Sequence, residues 1–150
     1  MDLYLAGRPA LVTGSTRGIG YATPCGLTDM GAGVALHGRT SESVARAAEW
    51  FRAGRAGASI ESRRADLGTA EAGATLTRAA PTVDILVNNV GIFRMRPFTD
   101  SDDAEWHEYF APSVMSGVPL ARHYLPAMRW RYGAESGSSS ANRASTFRPT

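Results

Sequence analysis

Short apolar runs separated by amphipathic segments organise the chain as far as residue 90. The apolar runs predict buried strands at 10–13, 34–37 and 83–87, with a weaker strand from 58 to about 66. Apolar residues at helical spacing predict helices over 18–31, from Thr40 or Ser41 through Phe51, and from about 69 to 80. Strands and helices that alternate at this length predict an α/β fold, in which a parallel sheet carries helices on both faces.

Three prolines fall inside predicted helices and are expected to weaken them. Pro24 lies in the first helix, whose apolar face is predicted to comprise Ile19, Ala22, Leu27 and Met30. A long helix capped by Ser101 continues to about Met128, and Pro112 and Pro119 interrupt it. Because each proline costs about 3 kcal/mol in a regular helix, we expect a domain of marginal stability, or none in isolation. Apolar clustering stops after residue 131, so residues 1–131 are predicted to form the domain and 132–150 a disordered tail.

The segment from Thr13 to Gly20, TGSTRGIG, joins the first strand to the first helix. In this position Gly14 allows a sharp turn, Gly18 lets the backbone approach a pyrophosphate, and Gly20 lets the helix pack close to the strand. Free N–H groups and the positive end of the helix dipole then hold the anion. The segment therefore predicts a phosphate site, with a plain glycine turn as the alternative if the motif is taken alone.

Composition narrows the classes of partner and compartment. A chain of 150 residues suits a single domain, and its net charge of +2 is too small to indicate a nucleic-acid partner. The single cysteine, Cys25, forms no internal disulfide, which favours a cytoplasmic location. Neither a signal peptide nor a long apolar run is evident, so we expect no membrane partner.

Two further motifs follow later strands and give the chain a family resemblance. Asp66-Leu67 follows the third strand, and Asn88-Asn89-Val90-Gly91 follows the fourth. With TGSTRGIG, these motifs resemble the pattern of the short-chain dehydrogenase/reductase family over roughly residues 3–131; the usual forms are TGxxxGxG, an Asp before an apolar residue, and NNAG. The resemblance implies a Rossmann-like doubly wound parallel sheet, incomplete here at about four strands, that binds a dinucleotide cofactor.

The resemblance also implies a set of cofactor-binding residues. Asp66 would accept a hydrogen bond from the adenine amino group, Leu67 would donate through its backbone, and the Asn pair with Gly91 would form the wall beside the adenine ribose. Taken singly, Asp66 is equally a helix cap and the Asn pair a tight turn. The full predicted set is Gly14, Ser15, Arg17, Gly18, Ile19, Gly20, Arg39, Asp66, Leu67, Asn88, Asn89 and Gly91.

The end of the second strand bears on the choice of cofactor. An acid there would bind the ribose hydroxyls of NAD and repel a 2′-phosphate, but the chain has His37-Gly38-Arg39. Arg17, in the glycine segment, would direct a second guanidinium to the same region if the resemblance holds. Two arginines suit a phosphate by charge and geometry, so NADP(H) is predicted over NAD(H); the alternative is that both are solvated surface charges.

The catalytic pattern of the family does not continue in this chain. Family members use an Asn on the long helix, a Ser after the fifth strand and a Tyr-x-x-x-Lys pair, in which the Lys lowers the pKa of the Tyr. Ser113 stands at the Asn position, and the chain contains no lysine. Tyr132 has Ser136 where the Lys would be. We therefore name no catalytic residue, and His107 and His123 lack partners for a metal site.

The missing fifth strand has structural consequences and leaves several functions open. Ile85-Leu86-Val87 would border an unpaired apolar edge, while the long helix over 101–130 implies a homo- or hetero-oligomer. The genetic code permits codons for Gly137–Thr150 whose neighbouring frame encodes Ile-Ile-Phe-Ser-Glu-Ser, so we hypothesise a frameshift; a natural linker is the alternative. Three functions remain open. The chain is the cofactor-binding part of an oxidoreductase that moves hydride between NADPH and a carbonyl or alcohol, without turnover of its own. The alternatives are a non-catalytic NADP(H)-binding module and a non-functional gene product.

Overall fold

Four parallel strands form one sheet in the computed structural model, which describes residues 3–138. The strands are β1 (Pro9–Val12), β2 (Gly33–Gly38), β3 (Ile60–Arg64) and β4 (Ile85–Val87), in the spatial order β3-β2-β1-β4. The helices are α1 (Gly18–Asp29), α2 (Ser41–Gly54), α3 (Ala70–Ala79), α4 (Asp103–Phe110) and α5 (Val118–Ser138). A 3₁₀ turn (Phe98–Asp100) precedes α4, and a π-helical segment (Ala111–Met115) follows it. The predicted Rossmann-like α/β architecture is confirmed.

Helices cover both faces of the sheet, because neighbouring residues of a strand point to opposite sides. On one face, Leu11 and Ala35 pack with Leu76 of α3 and with Leu120 and Tyr124 of α5. On the other, the core contains Ala10, Val12, Val34, Leu36, Ala47, Ala48 and Phe51. Continuous apolar runs such as Ala10-Leu11-Val12 therefore indicate a strand buried on both sides.

The sheet ends at β4, whose residues pair with β1 in the register Ala10↔Ile85, Leu11↔Leu86 and Val12↔Val87. Among the described residues no strand pairs with the other side of β4. The expected apolar edge is present, and all three β4 residues are only half buried. Such an edge exposes a row of backbone hydrogen-bonding groups.

Helix α1 packs on a different face from the one predicted. Its buried residues are Gly20 and Pro24, whereas Ile19 is 82% exposed. The helix approaches the sheet at Gly20, so the large side chain of the neighbouring Ile19 lies in solvent. The predicted apolar face is therefore wrong for Ile19 and also for Ala22, which is exposed.

The second half of the chain corrects two further predictions. Helix α4 is capped by Asp102, whose side chain accepts the Glu105 N–H at 2.8 Å, and not by Ser101. Pro119 is the second residue of α5, where its missing N–H would have no helical partner, so it interrupts nothing. Pro126 lies inside α5 instead and was not identified.

The final helix passes the predicted end of the domain. Helix α5 continues to Ser138, seven residues beyond residue 131, and the rest of the predicted tail, 139–150, lies outside the described residues. The proposed frameshift falls mainly on the same stretch and stays a hypothesis. Within residues 3–138, no helix combines the length and apolar character needed to cross a membrane.

Candidate dinucleotide-binding site

The predicted cofactor residues follow the carboxyl ends of the four strands, at one edge of the sheet. Parallel strands bring these ends together, and in open α/β sheets ligands bind in the crevice outside them. The segment 13–20 follows β1, Arg39 follows β2, Asp66-Leu67 follows β3, and 88–91 follows β4. The topology thus places all the predicted segments on the same side of the molecule.

Residues 13–18, which are predicted to bind phosphate and are called the phosphate-binding loop below, have the backbone that their glycines predict. Gly14 and Gly18 have positive φ values of 64° and 56°. A Cβ built on Gly18 would meet no heavy atom within 4 Å, so the space above this residue is open. Arg17 is the N-cap of α1 and makes no side-chain cap hydrogen bond. The first N–H groups of α1 have no intrahelical acceptors. They therefore lie unpaired by the helix at its open, electropositive end.

Gly20 allows α1 to approach this loop closely. A Cβ on Gly20 would lie 2.2 Å from the carbonyl oxygen of Gly14 and 2.4 Å from Nδ2 of Asn89. Both distances are far inside van der Waals contact, so only glycine fits at this position without movement of the helix. The close packing predicted from the third glycine of the motif is present.

Asn89 joins the end of β4 to the phosphate-binding loop. Its Nδ2 donates hydrogen bonds to the carbonyl oxygens of Thr13 and Gly14, both at 3.1 Å. In return, the Thr13 hydroxyl oxygen accepts the backbone N–H of Asn89 at 2.9 Å and that of Val90 at 3.3 Å. The Asn89 side chain therefore positions the loop, and it is more than part of a tight turn.

The other residues of the Asn motif lie against the later helices. Asn88 is exposed, and a Cβ on Gly117 would lie 2.8 Å from its Cγ. Gly91 is exposed and faces Ser113, whose Oγ would be 3.5 Å from a Cβ at Gly91. Ser113 thus lies beside the loop after β4, where the resemblance places the catalytic Asn.

Ser15 holds the loop to β2 with both its backbone and its side chain. Its N–H donates to the carbonyl oxygen of His37 at 2.8 Å, and its Oγ accepts the His37 N–H at 2.7 Å. Ser15 is fully buried. Its contribution to a cofactor site is therefore indirect, through the position of the loop.

His37 is a site residue that sequence reasoning missed. The residue is 2% exposed. Its Nδ1 lies 3.2 Å from the Gly14 nitrogen, and its Nε2 lies 3.1 Å from the Ala65 carbonyl oxygen. Burial lowers its pKa from the usual 6.5, against smaller opposing effects of the Ala65 carbonyl and of Asp66. The one signal in the sequence is a polar residue that ends the apolar run Val34-Ala35-Leu36.

The residues predicted to contact adenine follow β3 directly. Asp66 is exposed, and its Oδ1 accepts the Gly68 N–H at 3.2 Å. Leu67 packs into the core at 9% exposure, which leaves its backbone to serve a ligand. The N-cap of α3 is Thr69, so Asp66 is not the capping residue that the alternative interpretation suggested.

Arg17 and Arg39 lie on neighbouring segments. Both residues are exposed. A Cβ on Gly38 would lie 2.5 Å from Cγ2 of Thr16, so the residues that precede the two arginines pack against each other. The second strand ends without an acidic residue, as its sequence indicates.

The loop after β4 and the helices that follow it carry exposed histidines and exposed apolar side chains. His107 and His123 are exposed on α4 and α5, and no group of three metal-ligating side chains occurs among the side chains that the structure describes. Large apolar side chains lie in solvent after β4 and along the helices that follow it: Phe93, Met95, Phe98, Trp106, Phe110 and Trp130.

Comparisons with known proteins agree with this architecture. The family model for short chain dehydrogenase matches residues 8–139. The chain is similar to an uncharacterized oxidoreductase of Bacillus subtilis, with 44% identity over 128 residues, covering 85% of this chain and 48% of that protein. It is 34% identical over 135 residues to gluconate 5-dehydrogenase of Gluconobacter oxydans, covering 85% of this chain and 53% of that protein. The chain thus spans about half the length of the curated relatives it matches.

Solved structures with nicotinamide cofactors resemble the same region. L-sorbose reductase from Gluconobacter frateurii, complexed with NADPH and L-sorbose, matches with a TM-score of 0.75 and 32% identity, over 87% of this chain and 51% of that one. A 3-oxoacyl (acyl-carrier-protein) reductase from Agrobacterium tumefaciens with NADP bound matches with a TM-score of 0.76 and 34% identity, over 87% of this chain and 51% of that one.

Proposed function

The chain belongs to the short chain dehydrogenase family, and from this premise we propose that it is the NADP(H)-binding half of an oxidoreductase. In the complete reaction the nicotinamide supplies or accepts a hydride, exchanged with a carbonyl or alcohol. The chain's own residues bind and orient the dinucleotide. The observation that carries this proposal is the open space above Gly18 at the uncapped start of α1.

The phosphate-binding loop fits a pyrophosphate. The backbone N–H groups of Gly18, Ile19 and Gly20 lie at the helix N-terminus, where an anion is stabilised by the helix dipole and by hydrogen bonding. Gly18 has no side chain to exclude the ligand, and the exposed Ile19 side chain lies beside it. Asp66 and the Leu67 backbone would bind the adenine, while Asn88 and Gly91 would line the ribose.

The two arginines support NADP(H) over NAD(H). Arg17 and Arg39 follow residues that pack together, so their guanidinium groups extend from one region of the surface. A 2′-phosphate there would gain charge-assisted hydrogen bonds, and no acid at the end of β2 would repel it. The L-sorbose reductase that resembles this chain was solved with NADPH.

By the family resemblance, turnover requires a Tyr-x-x-x-Lys pair and an Asn on the long helix. The chain contains no lysine, so it cannot supply the Tyr-x-x-x-Lys pair of the family. Ser113 takes the place of the Asn on the long helix. We propose that these residues come from elsewhere or are lost, and that the exposed apolar side chains over 93–130 meet another protein chain, either a second copy or an intact homologue.

The single half-buried Cys25 suits the cytoplasm, where we place the protein.

Cofactor choice provides the test of this function. Dissociation constants for NADPH and NADH would be measured by fluorescence titration on the 150-residue chain and on Arg17→Gln and Arg39→Gln. Each substitution is expected to weaken NADPH about tenfold, because a charged hydrogen bond is lost, and to leave NADH unchanged. Arg46→Gln is the matched control, since Arg46 lies on the exposed side of α2 and pairs with Glu42.

Each of three results would refute a part of this proposal. NADH binding as tight as NADPH binding would refute the cofactor assignment. An equal loss for both cofactors would show that the arginines do not read the 2′-phosphate. Oxidation of NADPH with any carbonyl substrate would refute the proposed lack of turnover.

A further inference from the structure

The imidazole of His37 connects two parts of the proposed cofactor site. Its Nδ1 faces the backbone N–H of Gly14 in the phosphate-binding loop at 3.2 Å. Its Nε2 faces the carbonyl oxygen of Ala65 at 3.1 Å, one residue before Asp66. The ring therefore lies between the segment proposed to bind the pyrophosphate and the segment proposed to bind the adenine.

These two contacts determine where the proton lies. A backbone N–H can only donate, so Nδ1 must be the unprotonated acceptor; a carbonyl can only accept, so Nε2 must carry the hydrogen. Both hydrogen bonds exist together only in the neutral tautomer with the proton on Nε2. A second proton on Nδ1 would point at the Gly14 N–H and replace a hydrogen bond with repulsion.

Resting on the function proposed above, we propose that His37 is a positioning residue of the cofactor site. Its neutral imidazole holds the phosphate-binding loop and the Ala65–Asp66 segment at a fixed separation, so that pyrophosphate and adenine are bound together. Protonation of the ring releases Gly14 and lowers the affinity for the dinucleotide. Cofactor binding is thus coupled to pH through a residue that does not touch the cofactor.

The burial of the ring supports this arrangement. His37 is 2% exposed, and the adjacent backbone is held by Ser15. Burial lowers the pKa of His37 below its usual value of 6.5, since the charged form is poorly solvated there. The ring of His37 is therefore neutral above about pH 6.5. The hydrogen bond to Gly14 is lost as the pH falls toward the depressed pKa of His37 in the folded protein.

Other charged groups surround the ring on the elements that pack against it. Asp66 opposes the effect of burial by favouring the protonated ring. Arg63 is paired with His37 in the register of β2 and β3, and it forms an ion pair with Glu61. Arg17 lies in the phosphate-binding loop, and Tyr124 of α5 lies in the core on the same face of the sheet.

The first experiment needs no cofactor. In the ¹⁵N-labelled chain, imidazole ¹⁵N shifts would identify the tautomer of His37, and a pH titration would follow the backbone amides of Gly14 and Ser15. We expect an unprotonated Nδ1 at neutral pH, with both amides titrating together with the ring. A proton on Nδ1 in the neutral ring, or amides that do not follow the titration, would overturn the proposal.

Substitutions separate positioning from simple packing. In His37→Asn, the side-chain oxygen can take the place of Nδ1 as the acceptor for Gly14 but does not titrate. Because this variant lacks the contact with Ala65, we expect it to bind NADPH about threefold to tenfold more weakly than wild type near pH 8. Below about pH 6.5 its affinity should fall less than that of wild type, by roughly threefold to tenfold, because only protonation of the 2′-phosphate then weakens binding. His37→Leu keeps the volume but removes the acceptor, and it should bind weakly at every pH.

The two proposals fail in different ways. If His37→Asn retains the wild-type pH dependence, His37 does not couple pH to binding, whatever the fate of the leucine variant. If the Gly14 and Ser15 amides titrate as expected but NADPH binds at no pH, the loop contact stands and the proposed cofactor function is refuted instead.

Discussion

Replacing Gly20 by alanine tests whether the close approach of α1 to the phosphate-binding loop determines the stability of the fold. A Cβ at this position would lie 2.2 Å from the Gly14 carbonyl oxygen, where ordinary contact begins at 3.4 Å. The obstacle is backbone, so the helix must move by roughly 1 Å and cannot simply repack a side chain. It would also lie 2.4 Å from Nδ2 of Asn89, which makes two hydrogen bonds to the loop.

The magnitude follows from these contacts. Overpacking costs about 1–3 kcal/mol, and disturbing the two Asn89 hydrogen bonds adds about 1 kcal/mol for each bond that is lost. Against this, alanine in a helix gains about 0.5–1 kcal/mol over glycine. We therefore expect Gly20→Ala to lower the free energy of unfolding by about 2–4 kcal/mol.

Gly26 provides the matched control in the same helix. It is exposed, and a Cβ there would meet no heavy atom within 4 Å. Gly26→Ala should raise the free energy of unfolding by about 0.5–1 kcal/mol, since only the helix propensity changes. The same chemical change thus has opposite signs at two positions six residues apart in α1.

Urea denaturation followed by far-ultraviolet circular dichroism would measure both effects. The Gly20 substitution would also be made in the Gly26→Ala background, so that a destabilised variant still has a measurable folded baseline. If Gly20→Ala proves as stable as wild type, the close helix–loop contact does not constrain this position and the reasoning is wrong. If both alanines destabilise equally, the effect is not steric.

Two further predictions concern single hydrogen bonds. Tyr124→Phe removes a buried hydroxyl that donates to the Ala80 carbonyl oxygen at 2.6 Å, so this substitution should lower the free energy of unfolding by about 1–2 kcal/mol. Tyr109→Phe should lower it less, because the hydrogen bond from Tyr109 to Glu105 is long at 3.4 Å. Equal losses in the two variants would contradict this account. Thr40→Ala removes the side chain that accepts the Ser43 N–H at 3.2 Å at the start of α2, with an expected loss of about 1 kcal/mol in the same assay. Thr40→Ser should retain most of that stability, and a serine variant as weak as alanine would show that the cap is not the cause.

Patterns that are local in sequence predicted the fold well. The apolar runs of β1 and β2 lie at the strands because a strand buried on both faces needs apolar residues at consecutive positions. The sharp turn at Gly14 was predicted correctly, because a positive φ is a property of an individual residue, and Gly18 also has one. The same local chemistry predicted Thr40 or Ser41 as the cap of α2, and the structure has Thr40.

Errors arose where several local signals competed. Ser101 and Asp102 are both good caps, and the choice between them depended on where the chain leaves the preceding 3₁₀ turn. Pro119 was expected inside a helix, but the helix begins one residue before it. Apolar spacing suggested that Ile19 is buried, although the glycine one position later is the residue that meets the sheet.

The sequence by itself determined the order of the elements, the family resemblance and the position of the phosphate-binding loop, because each depends on residues close together in the chain. Only the tertiary structure decided that Asn89 ties β4 to this loop, that Ser15 faces inward, and that His37 joins the loop to Ala65. These contacts join residues 22 to 76 positions apart. A hydrogen bond across that distance leaves no periodic pattern in the sequence, since it depends on which strands become neighbours in the sheet.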